Sequence, residues 1–230
     1  MKRYFRTIQS VLDSRWGNFH YSGTSAAQKT DRILQSSKLE DCIYRDLSSD
    51  DENIHNMGHA TCAYLGGYVG RKYIYQAIDD PEILSIVENA MLESAMALSQ
   101  KYGVELEPLM LHITDLLGRF RNEALKDTCK RVGGDPARKL GAADRLIGSS
   151  LLCLEMGVTP AYIAVGAAGA VYRYLNETGT EQSYDAAKQV LREVSGLPDE
   201  HTLLKMIMQM YDLYLEGETV AAMRRYAQRV

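Results

Sequence analysis

Residues 164–175, Ala-Val-Gly-Ala-Ala-Gly-Ala-Val-Tyr-Arg-Tyr-Leu, are apolar on nearly every side of a helical wheel and carry two glycines three positions apart. A helix that is hydrophobic all round has no face to offer water, so it belongs at the centre of a fold with neighbours on several sides. Gly166 and Gly169 share one face and imply that those neighbours come close. Thr159-Pro160 opens the segment, as proline does at the start of a helix. A central helix of this kind calls for other helices around it, or for a sheet. The remaining punctuation decides between the two.

That punctuation is helical. Asp80 is a suitable N-cap with Pro81 at the first helical position; Ile83, Ile86, Val87, Ala90, Met91, Met96 and Leu98 follow at helical spacing, and Gly103 stands where a terminating glycine belongs. Glu107-Pro108 begins a helix ending near Gly118, and residues 122–131 read as a further helical piece. Ser183 caps another helix that stops at Gly196-Leu197-Pro198. Beyond Asp199, Leu203, Leu204, Ile207, Met208, Tyr211 and Leu215 keep the same period, and a short helix follows Gly217. The methionines between Met206 and Met210 read as adaptable core or an oligomer contact. No alternating strand pattern competes, so the predicted class is all-α, a multi-helical domain with a short N-terminal extension. Residues 48–230 form that domain, starting at the helix-start signal Ser48-Ser-Asp-Asp-Glu52, and residues 1–47 form the extension, whose loop or hairpin at residues 16–24 the sequence leaves open.

With 230 residues, of which 46% are hydrophobic, the chain can bury a sizeable core. A net charge of −4 and a pI near 5.8 argue against a general nucleic-acid binder. Cys42, Cys62, Cys129 and Cys153 are widely spaced and include no CxxC pair, which points to reduced thiols in the cytoplasm. The start, Met1-Lys-Arg-Tyr-Phe-Arg, is too charged for a signal-peptide core, and no run of about 18 apolar residues marks a membrane span. Neither nucleic acid nor membrane is an expected partner.

Two constellations carry chemistry. From Lys130 to Arg145, five cations (Lys130, Arg131, Arg138, Lys139 and Arg145) fall within sixteen positions, and Gly133-Gly134-Asp135-Pro136 breaks the helix among them. Arginine offers phosphate a planar fork and lysine a mobile point charge, so Arg131, Arg138, Lys139 and Arg145 are candidate anchors for an anion. Equally, Asp127, Asp135 and Asp144 can pair with some of them and stitch the turn to its neighbours. Upstream, Asn56 and His59 lie one helical turn apart and can converge on one alcohol or carbonyl group. The alternative is a helix terminus in which Asn56 bonds locally and His59 is a satisfied imidazole. His55 and His59, four apart, have a spacing compatible with one metal, with His112 or Asp115 as further ligands, but no glutamate follows the first histidine as in zincins, and no metal is expected.

Together these motifs carry a resemblance. Asn56-Met-Gly-His-Ala with Ala63-Tyr-Leu-Gly, Gly118-Arg-Phe with Asn122, Leu125-Lys-Asp, Arg131-Val-Gly, Asp135-Pro, Arg138-Lys-Leu and Asp144-Arg-Leu-Ile resemble, in order and spacing, the C-terminal helical domain of the polyol-specific long-chain dehydrogenases of the mannitol-1-phosphate 5-dehydrogenase type. The resemblance implies a polyol-phosphate substrate, with Asn56 and His59 orienting its hydroxyl or carbonyl and the basic turn holding its phosphate. It also implies NAD, bound by an N-terminal Rossmann domain. No G-x-G-x-x-G turn occurs upstream of Asn56, and neither Gly66-Gly67 nor Gly133-Gly134 follows an apolar strand, so no cofactor is expected on this chain. The family's general acid/base lysine, five positions before the asparagine, is Asp51 here, and a carboxylate repels both a developing alkoxide and a phosphate. Gly134 stands where arginine is common in the family, and Glu123 where proline is. The expectation is a homologue that binds a polyol or sugar phosphate without transferring hydride by itself. Alternatives are one part of a split enzyme served by a separate Rossmann-domain protein, and a structural or oligomeric remnant.

Overall fold

The computed structural model describes residues 54–230. The extension, the helix-start signal at Ser48–Glu52 and Asp51 lie outside the described residues. Within them the chain runs through α1 (His55–Tyr68), α2 (Ile74–Ile78), α3 (Pro81–Tyr102), α4 (Leu106–Phe120), a 3₁₀ turn (Glu123–Leu125), α5 (Cys129–Val132), α6 (Pro136–Lys139), α7 (Ile147–Glu155), α8 (Ala161–Thr178), α9 (Tyr184–Glu193), α10 (Thr202–Leu215) and α11 (Val220–Ala227). Among the described residues, extended pairing is confined to one antiparallel bridge between Tyr73 and Thr128. The all-α expectation holds.

The centre of the domain is α8, packed by α10, α1 and α3. Its residues from Ala161 to Val171, apart from Tyr162, are buried, as the all-round apolar pattern requires. The two glycines explain how neighbours fit so closely. A Cβ on Gly166 would lie 3.0 Å from Thr61 Cβ on α1, and one on Gly169 would lie 2.9 Å from Tyr64 Cβ on α1 and 2.7 Å from the Tyr214 hydroxyl on α10. That hydroxyl donates to the Val165 carbonyl at 3.2 Å, a carbonyl already within α8. Met206, Met208 and Met210 are all buried, so the methionine run is core within this chain.

A buried acid ties α3 to the start of α8. Both oxygens of Glu93 accept from the Tyr162 amide, at 3.0 and 3.1 Å, and one also accepts from Ile163 at 3.0 Å. Pro160 precedes this helix and provides no side-chain cap, so Glu93 supplies from a distant helix what a local Ser or Asp normally does. Elsewhere caps are local. Asp80 accepts from Glu82 and Ile83, Ser183 from Ala186, and Thr219 from Ala222, while Gly103 closes α3 in the left-handed conformation at φ 64°. No helix among the described residues is long and apolar enough to cross a membrane.

α4 ends near Gly118 as expected, running to Phe120, which lies in the core. One expectation needs correction. Residues 122–131 do not form one helix. Asn122 takes the Ala124 amide with its side chain, and Lys126 then turns left-handed at φ 49°. Next, Asp127 O accepts from Ile74 and the Cys129 amide donates to Lys72 O, both at 2.9 Å. Glu123, Ala124, Leu125 and Lys126 are exposed, so no apolar face repaid a continuous helix there, and pairing with the segment before α2 prevailed.

Candidate functional site

The bridge from Lys72–Ile74 to Asp127–Cys129 is what builds the site, because it places the Asp127 carboxylate beside α1. Asn56 and His59 lie on the first turns of that helix, both half-buried. The Asn56 amide makes no hydrogen bond to the described residues. The His59 ring stacks on Phe120 from the end of α4, at 4.7 Å between centroids and 15° between planes, and on His55 at 5.7 Å and 20°. Its Nε2 is 3.7 Å from Asp127 Oδ2, beyond hydrogen-bond length.

This environment keeps His59 neutral. Burial, then the neighbouring His55, lowers its pKa to about 4; Asp127 opposes the shift, and Arg131 and Arg145 add to it. A neutral imidazole carries one donor and one acceptor, which suits a hydroxyl or a carbonyl. The depressed value has a consequence for stability. The unfolded imidazole titrates near 6.5, so this contribution is complete above that pH and is lost as pH falls towards 4. We expect the domain to be about 2 kcal/mol less stable at pH 5 than at pH 7 from this residue alone. Urea unfolding of wild type and His59→Gln at both pH values checks it: the variant should lose much of the pH dependence, and an unchanged dependence would assign it to other groups.

The basic turn is held largely by its own carboxylates. Thr128 caps α5 by accepting the Arg131 amide at 3.1 Å, and the Arg131 guanidinium pairs with Asp127. Asp135 adopts φ 54° immediately before Pro136 and takes Arg138 Nε at 3.1 Å, while Arg138 Nη1 reaches Asp144 at 3.1 Å. The other Asp144 oxygen accepts Arg145 Nε at 2.8 Å. Lys139 is buried, and its ammonium donates to the Gly134 carbonyl. Burial lowers the Lys139 pKa, with Arg145 and Arg138 lowering it further against Asp135 and Asp144. All four candidate anchors are thus engaged within the turn. Four cations face three carboxylates there, which leaves a positive balance.

Arg145 connects the two constellations. Only 17% of its side chain is exposed, and its charge acts on His59, on Lys139 and on the Tyr64 hydroxyl of α1. The structure therefore brings His59 of α1 together with the turn. Sequence reasoning missed Phe120 as the platform for His59, the double placement of Asp127 between His59 and Arg131, and Tyr64. All three lie in the motifs of the resemblance, but their roles depend on elements far apart in the chain.

His55 and His59 face each other ring on ring, and among the described residues no three His, Cys, Asp or Glu side chains gather as a metal site. Nor do the described residues fit a dinucleotide. Gly66-Gly67 lies inside α1 and Gly133-Gly134 follows a four-residue helix, so no strand-to-helix glycine turn is present to cradle a pyrophosphate.

Comparison with known proteins agrees with this architecture. The sequence profile of the mannitol dehydrogenase C-terminal domain matches residues 53–225. Mannitol-1-phosphate 5-dehydrogenase of Caldanaerobacter subterraneus subsp. tengcongensis is 39% identical over 171 residues, covering 72% of this chain and 44% of that protein. The enzyme of the same name from Thermoanaerobacter pseudethanolicus is 37% identical over 162 residues, covering 68% and 42%. That of Clostridium acetobutylicum is 36% identical over 163 residues, with the same shares. The chain spans less than half the length of these relatives. On the helical fold and the match across residues 53–225, it belongs to the mannitol dehydrogenase C-terminal domain family.

Proposed function

We propose that this domain binds a polyol or sugar phosphate resembling mannitol 1-phosphate and does not by itself transfer hydride. One observation carries the reading: the half-buried His59 stands 3.7 Å from Asp127, beside a turn with more cations than carboxylates. A phosphate competes well for that turn because its oxygens accept from arginine in the bidentate way a carboxylate does, with more charge. His59 and Asn56 then supply donor and acceptor for the polyol chain. The relatives' name supports the ligand class.

Hydride transfer needs two further parts, a dinucleotide site and a base. The described residues offer no glycine turn for the first. For the second, Asp51 occupies the position of the family's lysine, and its negative charge opposes the alkoxide and the phosphate alike. The three described cysteines are all free and buried, which suits a reducing, cytoplasmic setting. Calorimetric titration with mannitol 1-phosphate and fructose 6-phosphate tests the reading. Saturable binding of at least one ester is expected, weakened by salt; no binding at millimolar concentration would overturn it.

A further inference from the structure

Tyr64 has a buried hydroxyl that makes no hydrogen bond. The residue is only 4% exposed, and its ring edge lies under the basic turn, 3.3 Å from where a Cβ on Gly133 would be. An unsatisfied buried hydroxyl costs about 1–3 kcal/mol, and phenylalanine would fill the same space without that cost. The other buried orphan among the described residues, the Ser195 hydroxyl, follows α9. Around the Tyr64 oxygen the charges are mixed: Glu177 and Asp135 act against Arg145 and Arg173. A neutral partner suits that balance better than an anion, and burial keeps the phenol protonated and able to donate.

We infer that Tyr64 is a ligand-positioning residue, whose hydroxyl hydrogen-bonds a hydroxyl of the polyol chain while the turn holds the phosphate. The inference rests on the reading proposed above. Access to the oxygen follows from how the turn is closed. Gly133 covers the ring, and the neighbouring Arg138–Asp135 pair is mostly in solvent, where such pairs contribute little. Gly133 is itself held by its amide's bond to the Cys129 carbonyl at 2.9 Å, so a ligand reaches Tyr64 only by shifting the end of α5.

Tyr64→Phe tests the assignment through a split in affinity. Binding of mannitol 1-phosphate should weaken about 10-fold, while binding of inorganic phosphate should stay within about twofold of wild type. The melting temperature should be unchanged or higher, since the orphan is removed. Equal affinity of variant and wild type for mannitol 1-phosphate would overturn the inference and leave the ligand class standing. An equal loss for both ligands would also overturn it, by assigning the hydroxyl to the turn itself. Failure of wild type to bind any ester would overturn the ligand class and this inference together.

Discussion

Replacing Glu93 with alanine should destabilise the domain by about 4 kcal/mol, because two amide donors at the start of α8, one of them buried, lose their acceptor. Glu93 is 8% exposed, and its oxygens hold the Tyr162 and Ile163 amides at 3.0–3.1 Å. Its charge also sits at the positive end of an 18-residue helix, where an anion is favoured. Glu93→Gln keeps the shape and one acceptor but loses the charge, so about half the effect is expected. For a domain of this size the alanine variant should melt roughly 10 °C lower. Urea unfolding of both variants checks the order, and a loss under about 1 kcal/mol for alanine would show that the cap is dispensable.

Arg145→Ala should weaken binding of a polyol phosphate by about 100-fold, the largest effect expected of any residue of the turn. Arg131 and Arg138 are 67% and 52% exposed, so water already competes for their charge, whereas Arg145 is 17% exposed and acts on His59, Lys139 and Tyr64 together. Folding should suffer less, since Asp144 retains Arg138 when Arg145 is removed. A second readout is independent of ligand. Arg145 is one of the charges depressing His59, so the His59 pKa, followed by NMR, should rise in the variant. Lys130→Ala, at an exposed position outside these interactions, is the control and should change affinity only slightly. Equal effects of the two substitutions would reduce the turn to a diffuse basic patch.

Much of the helical framework was legible in the chain. Asp80-Pro81 with Gly103, Ser183, and the glycine pair of the central helix each state a local requirement that the fold then meets. Residues 122–131 were misread because their backbone groups are satisfied by a segment some fifty residues earlier, and no local pattern records that partner. Glu93 is hidden for a similar reason: on α3 alone it looks like one more acidic residue, and only the arrival of α8, 69 positions on, makes it a cap. At the site, Asn56, His59 and the basic turn stand out by residue type. The stack of His59 on Phe120 and the seat of Tyr64 under Gly133 depend on how α1, α4 and the turn meet. Pairing of the cations with Asp127, Asp135 and Asp144 was foreseen as an alternative role, and the structure engages all four of them.

That engagement sharpens what a ligand must do. On the proposed reading, a phosphate has to compete with the carboxylates that pair Arg131, Arg138 and Arg145, drawn by the one cation in excess. The most direct measurement is a crystal structure with mannitol 1-phosphate bound. The phosphate is expected among Arg131, Arg138, Lys139 and Arg145, with the polyol chain running towards Asn56 and His59. A turn still closed by Asp135 and Asp144 at saturating ligand, with the ester bound elsewhere, would contradict the single polyol-phosphate site proposed for this domain.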